Sequence, residues 1–120
     1  MKGTPIVLHI ATQTDWQEAR LRGEYRCDSL NDEGFIHCST REQLLIPANE
    51  RFGGRLDLLL LCVDPTRLSA ELRFEDCYES GMEFPHIYGA IELAAVVDVL
   101  AFSPGASGLF ELPTALAELR

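Results

Sequence analysis

The sequence predicts a single α+β domain, and three observations support this fold class. A chain of 120 residues is long enough for one domain, and it buries roughly two thirds of its unfolded surface without a disulfide or a metal. Short apolar segments typical of strands recur along the chain. Helix signals lie mainly in the first half. We therefore expect one domain over residues 1–120, with its core at 6–102 and a tail or short helix at 103–120.

The first half of the chain is predicted to alternate between strands and helices. Thr14 resembles an N-cap and Gly23 a helix stop, and Pro47 is expected to break the second helix into two pieces. In chain order, we predict a central first strand at 5–10, a helix at 14–22, a turn at 32–34, a short strand at 35–39 and a helix that is capped by Thr40 and ends near 52–54.

The second half is predicted to be mainly extended. The run Leu56–Val63 is apolar almost throughout, which indicates a strand buried on both faces. Pro85 disfavours helix at Phe84 and favours an extended segment after it. In chain order, we predict that strand, a turn at 64–68, a strand at 71–76, a loop at 77–82, an extended segment at 86–91, a helical turn at 92–95, a strand at 96–102 and a terminal helix at 113–119.

The composition limits the classes of partner. The net charge is -9, and an acidic surface repels phosphate backbones, so nucleic acid is disfavoured as a partner. No apolar run approaches the ~20 residues of a membrane span, and the first residues do not resemble a signal peptide. The four cysteines show no Cys-x-x-Cys spacing, so we expect reduced thiols and a cytoplasmic location.

All three histidines occur in short, dense motifs, which are LHIAT at 8–12, GFIHCST at 34–40 and FPHIYG at 84–89. Each motif combines an imidazole with apolar or aromatic residues and with a hydroxyl within three residues. Imidazole donates and accepts hydrogen bonds, binds metals and titrates near neutral pH. The pattern predicts a single pocket that is assembled from three distant segments.

The first two motifs each pair a histidine with a hydroxyl. His9 ends the first strand and is followed by Thr12, so both are placed to contact a ligand at the strand end. His37 and Ser39 share one face of the next strand. The alternative for each histidine is a structural role, in which the ring is hydrogen-bonded within the protein because an unpaired buried polar group costs about 1–3 kcal/mol.

The third motif places His86 and Tyr88 on one face of an extended segment, and the tyrosine ring suits stacking on a ligand. Glu83 lies nearby and is a candidate acid or base. Arg51 or Arg55 can hold a phosphate or carboxylate with its planar fork, although a surface or interface ion pair is the alternative for both. The histidine spacing lacks the His-x-His and His-Glu-x-x-His patterns, so no metal is expected.

These motifs, together with Trp16, Gly23, Arg55, Asp57 and Glu75, resemble the DUF952 family over residues 6–102. The resemblance implies an ADP-ribosyltransferase-like fold, in which a split β-sheet with two early helices clamps a bent NAD. Within that group, the chain is similar to the two-histidine branch that includes RNA 2′-phosphotransferases. The resemblance implies that His9 contacts the adenine-side ribose and that His37 lies near the nicotinamide ribose.

From this resemblance and from the motifs, we expect a pocket that binds NAD or an ADP-ribose-containing ligand and that transfers or removes ADP-ribose. The expected catalytic residues are His37, His86 and Glu83. The expected ligand-binding residues are His9, Thr12, Ser39, Tyr88 and Arg55. Two alternatives stay open, a non-catalytic nucleotide-binding module and a metal-dependent hydrolase that uses the three histidines. Monomer and homodimer are both compatible with the sequence.

Overall fold

The computed structural model describes residues 5–76 and 79–118, which form a mixed α/β arrangement of antiparallel sheets with few helices. The strands are β1 (Val7–Thr12), β2 (Glu24–Tyr25), β3 (Ile36–His37), β4 (Leu58–Val63), β5 (Glu71–Glu75), β6 (Phe84–Tyr88), β7 (Ile91–Glu92) and β8 (Val96–Ala101). The α-helices are α1 (Gln13–Arg22), α2 (Asp28–Asp32) and α3 (Leu45–Arg51). Short 3₁₀ turns cover Pro65–Arg67, Leu93–Ala95 and Thr114–Glu118.

The first sheet has the strand order β1-β4-β8, and both pairings are antiparallel. Leu61 and Val63 of β4 pack into one apolar cluster, and Leu58 and Leu60 pack into another. The apolar run of β4 is therefore buried on both faces, as a central strand requires. The first strand was expected to be central, but β1 lies at the edge, because β4 takes the middle position between β1 and β8.

The second sheet has the order β3-β6-β5 and is also antiparallel, while β2 and β7 form a separate two-stranded ladder. An isolated bridge between Leu8 and Ser39 joins the first two sheets. The backbone amide of Leu8 donates to the Ser39 carbonyl at 2.8 Å, and the Ser39 amide donates to the Leu8 carbonyl at 2.7 Å. This bridge brings the end of β3 beside the middle of β1, which places the first two histidine motifs together.

The segment after β8 contributes to the core. Phe110 and Leu116 are buried, and the Phe110 ring stacks on that of Phe102 with centroids 4.7 Å apart. Burial of apolar side chains stabilises the fold by about 25 cal/mol per Å² removed from water. The described residues include no helix long and apolar enough to cross a membrane.

Three local expectations for the helices were wrong, namely the caps at Thr14 and Thr40 and the break at Pro47. The helix expected after Thr40 begins only at Leu45, as α3. Thr12 caps α1, since its hydroxyl oxygen accepts the amide of Asp15, whereas Thr14 lies inside the helix. Pro47 does not break its helix, because it is the third residue of α3, where the backbone amide has no partner to lose. The single turn of α2 was not predicted, and residues 77–78 of the expected loop lie outside the described residues.

Candidate functional site

A cavity of about 620 Å³ lies where the two three-stranded sheets meet. Its walls come from β1, β3, β6 and α3, and from the N-terminal ends of α1 and α2. Most of the wall is apolar, and its uncharged polar groups include the side chains of Thr12, Ser29 and Ser39. All three histidines line this one cavity.

His9 is buried in the wall of the cavity, and both of its ring nitrogens are hydrogen-bonded within the protein. Nδ1 lies 2.5 Å from the backbone carbonyl of His37, and because a carbonyl only accepts, Nδ1 carries the proton. Nε2 therefore accepts from the Tyr25 hydroxyl, which is 2.7 Å away. Burial lowers the pKa of His9 from 6.5 to about 4, so the ring is neutral at pH 7.

His37 is the most exposed of the three imidazoles, with 27% of its side chain accessible to solvent. Its Nε2 lies 3.2 Å from both carboxylate oxygens of Glu33. Burial lowers the pKa of His37 below its ordinary value, and the nearby His86 and Arg51 act in the same direction, while Glu33 opposes them. The net lowering leaves His37 mainly neutral at pH 7.

His86 sits against the cavity with 1% of its surface exposed. Its Nδ1 lies 2.9 Å from Oε1 of Glu75, and the Tyr88 hydroxyl donates to the same oxygen at 2.5 Å. The Phe35 ring stacks on the imidazole, with centroids 4.1 Å apart and planes 20° from parallel. The rings of His37 and His86 meet edge to face at 5.5 Å. The cavity therefore has two adjacent imidazoles, each with its own carboxylate.

The charged groups of the cavity wall are mixed in sign. Asp15, Asp28 and Glu50 contribute carboxylates, and among the described residues Arg51 is the arginine that lines the cavity. Arg51 is close enough to His37 to lower the pKa of that imidazole. The wall can thus bind an anionic group at Arg51 and can accept hydrogen bonds from hydroxyl groups at its carboxylates.

The structure brings together most, but not all, of the residues that the sequence predicts for the site. Those that line the cavity are His9, Thr12, His37, Ser39 and His86. Tyr88 contacts the Phe35 ring at 5.3 Å but does not line the cavity. Arg55 forms a surface ion pair with Asp57 at 2.6 Å, which is the alternative considered for it. Glu83 does not line the cavity either, although its neighbour Phe84 does.

Arg51 was a candidate for holding a phosphate, and Glu75 was named among the residues that carry the family resemblance. Glu33 and Phe35 were not predicted for the site. Glu33 precedes His37 by four positions, and Phe35 belongs to the same motif. Their closeness to His37 in the sequence could have indicated both as residues of the site. The contact of Glu75 with His86 had no such signal, because it depends on how β5 pairs with β6. Arg51 reaches the cavity only through the position of α3. Within the described residues, no group of three or more His, Cys, Asp or Glu side chains is arranged to hold a metal ion.

Comparisons with known proteins give a family and a fold. The model of a family described as "Protein of unknown function (DUF952)" matches residues 10–99. The crystal structure of protein CC0527 from Caulobacter crescentus is 28% identical, covers 93% of this chain and 98% of its own, and superposes with a TM-score of 0.82. The solution structure of CC0527 is 27% identical, covers 95% and 96%, and gives a TM-score of 0.76. Among curated proteins, none is significantly similar to this chain.

Proposed function

The chain belongs to the DUF952 family, and from the cavity at its three histidine motifs we propose that it binds a nucleotide that contains ADP-ribose, NAD among them. One observation carries the proposal, namely that side chains from three separate strands of two sheets converge on one cavity of about 620 Å³. Ligand pockets of about 300–1,000 Å³ with a few convergent polar groups are typical of small-molecule sites.

The chemistry of the wall matches the parts of such a ligand. Arg51 is suited to the diphosphate, because its planar guanidinium binds phosphate oxygens in pairs. Asp15 and Asp28 are suited to the ribose hydroxyls, because carboxylates accept hydrogen bonds from them. Phe52 and Phe84 offer aromatic surface to a base. These pairings explain how a protein of net charge -9 can bind an anionic nucleotide without a broad basic surface.

The histidines have different parts in this proposal. His37 is accessible and contacts a ribose hydroxyl directly, with the Ser39 hydroxyl beside it. Within the described residues, the Ser39 side chain forms no hydrogen bond, although the residue is only 4% exposed, so a ligand hydroxyl would satisfy it. His9 acts by position, because its bonds to His37 and Tyr25 already use both ring nitrogens. We therefore replace the expected ribose contact of His9 with a supporting role.

We infer that the fold is ADP-ribosyltransferase-like. Two small antiparallel sheets that meet at a bridge between Leu8 and Ser39, with the cavity at the junction, support this assignment. The free thiols of Cys27, Cys38 and Cys62 support a cytoplasmic location, where thiols stay reduced.

Calorimetric titration with ADP-ribose and with NAD tests the proposal. We expect saturable binding by the wild-type protein, and we expect His37→Ala to weaken it about 2-fold to 12-fold, the equivalent of one hydrogen bond of about 0.5–1.5 kcal/mol. Arg55→Ala is the matched control, because Arg55 lies outside the cavity and should leave the affinity unchanged. No heat of binding at millimolar nucleotide, or equal losses in both variants, would refute the proposal.

The same samples separate a transferase from a binding module. Incubation of the wild-type protein with NAD, followed by chromatography, measures released nicotinamide. A transferase or hydrolase of ADP-ribose releases nicotinamide at a rate that His86→Ala lowers about a hundredfold or more, since acid–base catalysis contributes about that much. A binding module releases none above the background of the buffer.

A further inference from the structure

Glu75 and His86 form a polar pair beside the cavity. One carboxylate oxygen of Glu75 accepts from Nδ1 of His86 at 2.9 Å and from the Tyr88 hydroxyl at 2.5 Å. Phe35 covers one face of the imidazole, with centroids 4.1 Å apart. Arg73 lies over the Tyr88 ring at 4.6 Å, and its Nη1 is 4.0 Å from Glu75. The ring of His86 is thus oriented from several sides at once.

We propose that Glu75 is a positioning residue of the site, which holds a proton on Nδ1 of His86 and thereby leaves Nε2 as the nitrogen that takes up a proton. This proposal depends on the proposed function in one respect, which is that the ligand contacts His86. Glu75 itself does not line the cavity, so it acts through His86 and not on the ligand.

The sheet geometry explains why Glu75 can do this. In the pairing of β5 with β6, Arg73 lies opposite His86 and Glu75 lies opposite Phe84. Glu75 is therefore the diagonal neighbour of His86 on the same face of the sheet, within reach of a long side chain. Hydrogen bonds from Tyr88, and then from His86, hold the pKa of Glu75 below its ordinary value. The carboxylate is consequently ionised at neutral pH and can only accept hydrogen bonds.

This arrangement suits His86 to general base chemistry. When a hydroxyl group of the ligand or a water molecule gives up its proton, the O–H bond breaks and an N–H bond forms at Nε2 of His86. The imidazolium that results is stabilised by the Glu75 carboxylate on its other nitrogen. Nε2 of His86 then gives this proton back to the departing group or to solvent, which restores the imidazole. His37 stands 5.5 Å away with its own carboxylate, Glu33.

Nitrogen-15 spectra of the imidazole rings test the proposal without any ligand. The chain has three histidines, so each ring can be assigned by a single substitution. In the wild-type protein, we expect Nδ1 of His86 to be protonated and Nε2 to show the shift of an unprotonated nitrogen. Glu75→Leu removes the acceptor and should move at least a tenth of the population to the Nε2–H form. Glu71→Gln is the control, because Glu71 lies on the same strand and pairs with Arg73, and it should change nothing.

A second variant keeps the test decisive if Glu75→Leu does not fold. Glu75→Gln retains an oxygen acceptor but loses the charge, so the Nδ1–H proton signal of His86 should move upfield as its hydrogen bond weakens. An Nε2–H tautomer of His86 in the wild-type protein would overturn the proposal, and so would an unchanged signal in Glu75→Gln.

Addition of ADP-ribose then separates the two proposals. The His86 Nε2 resonance should shift on binding in the wild-type protein and in Glu71→Gln, and should shift less than half as far in Glu75→Leu or Glu75→Gln. An equal shift in all of these proteins overturns the role of Glu75 in ligand chemistry. If ADP-ribose does not bind the wild-type protein, the proposed function fails, while the tautomer in the ligand-free spectra still decides the role of Glu75.

Discussion

Acid should destabilise this protein through His9, and the size of the effect can be calculated from the site. The ring is buried, and this burial lowers the pKa of His9 from 6.5 to about 4. Above pH 6.5 the imidazole is neutral in the folded and in the unfolded chain, so its contribution to stability is fully present. As the pH falls from 6.5 toward 4, the unfolded chain binds the proton first, and that contribution is lost.

The magnitude follows from the pKa difference between the two states. A difference of one in pKa corresponds to about 1.4 kcal/mol, so the fall from 6.5 to about 4 amounts to about 3 kcal/mol once the pH lies below about 4, where both states bind the proton. Between pH 7 and pH 5 alone, the loss is about 2 kcal/mol. This is a large fraction of the 5–15 kcal/mol that is typical of the stability of small domains.

Urea unfolding measures this loss, with the fluorescence of Trp16 as the probe, since that residue packs against the core. The matched variant is His9→Gln, whose amide can still donate to the His37 carbonyl and accept from Tyr25 but does not titrate. His37 and Glu75 titrate in both proteins, so their contributions cancel in the comparison. The wild-type protein should lose about 2 kcal/mol more than the variant between pH 7 and pH 5. Equal losses would show that His9 is protonated in the folded state and would refute the reasoning.

Two further changes test the local geometry by their effect on the free energy of unfolding. Thr12→Ala removes the hydroxyl that caps α1 and should cost about 1 kcal/mol, whereas Thr14→Ala should cost less than half as much; equal costs would contradict the assigned cap. Gly89→Ala places a Cβ 2.8 Å from that of Ala70 and should cost about 1–3 kcal/mol. Adding Ala70→Gly should restore most of that loss, and no recovery in the double variant would exclude the contact as its cause.

Much of the strand content follows from local patterns in the sequence. The leucine run of β4 predicts a strand with two covered faces, and both faces are covered by apolar clusters. The position of β1 in its sheet did not follow, because order among antiparallel strands depends on pairings that no local pattern encodes. The N-cap of α1 was misplaced by two residues, since both Thr12 and Thr14 have the residue type of a cap.

The candidate site was also predicted only in part: the shared pocket followed from local motifs, whereas the carboxylate contact of His86 did not. The density of the three histidine motifs indicated one pocket, and the structure places His9, His37 and His86 on one cavity. Glu83, three residues before His86, was expected to be an acid or base of the site, whereas the carboxylate bonded to His86 is that of Glu75 on the neighbouring strand. Proximity in sequence is a poor guide there, because the pairing of β5 with β6 determines the contact.

The central claim is that the cavity binds a nucleotide containing ADP-ribose, and a titration of the isotope-labelled protein with ADP-ribose tests it most directly. The account predicts saturable shifts in the backbone amide signals of His37, Ser39 and Arg51, which line the cavity. Signals of Leu21 on the exposed side of α1 should stay constant. No saturable shift at millimolar ADP-ribose, or shifts centred on Leu21, would contradict the claim.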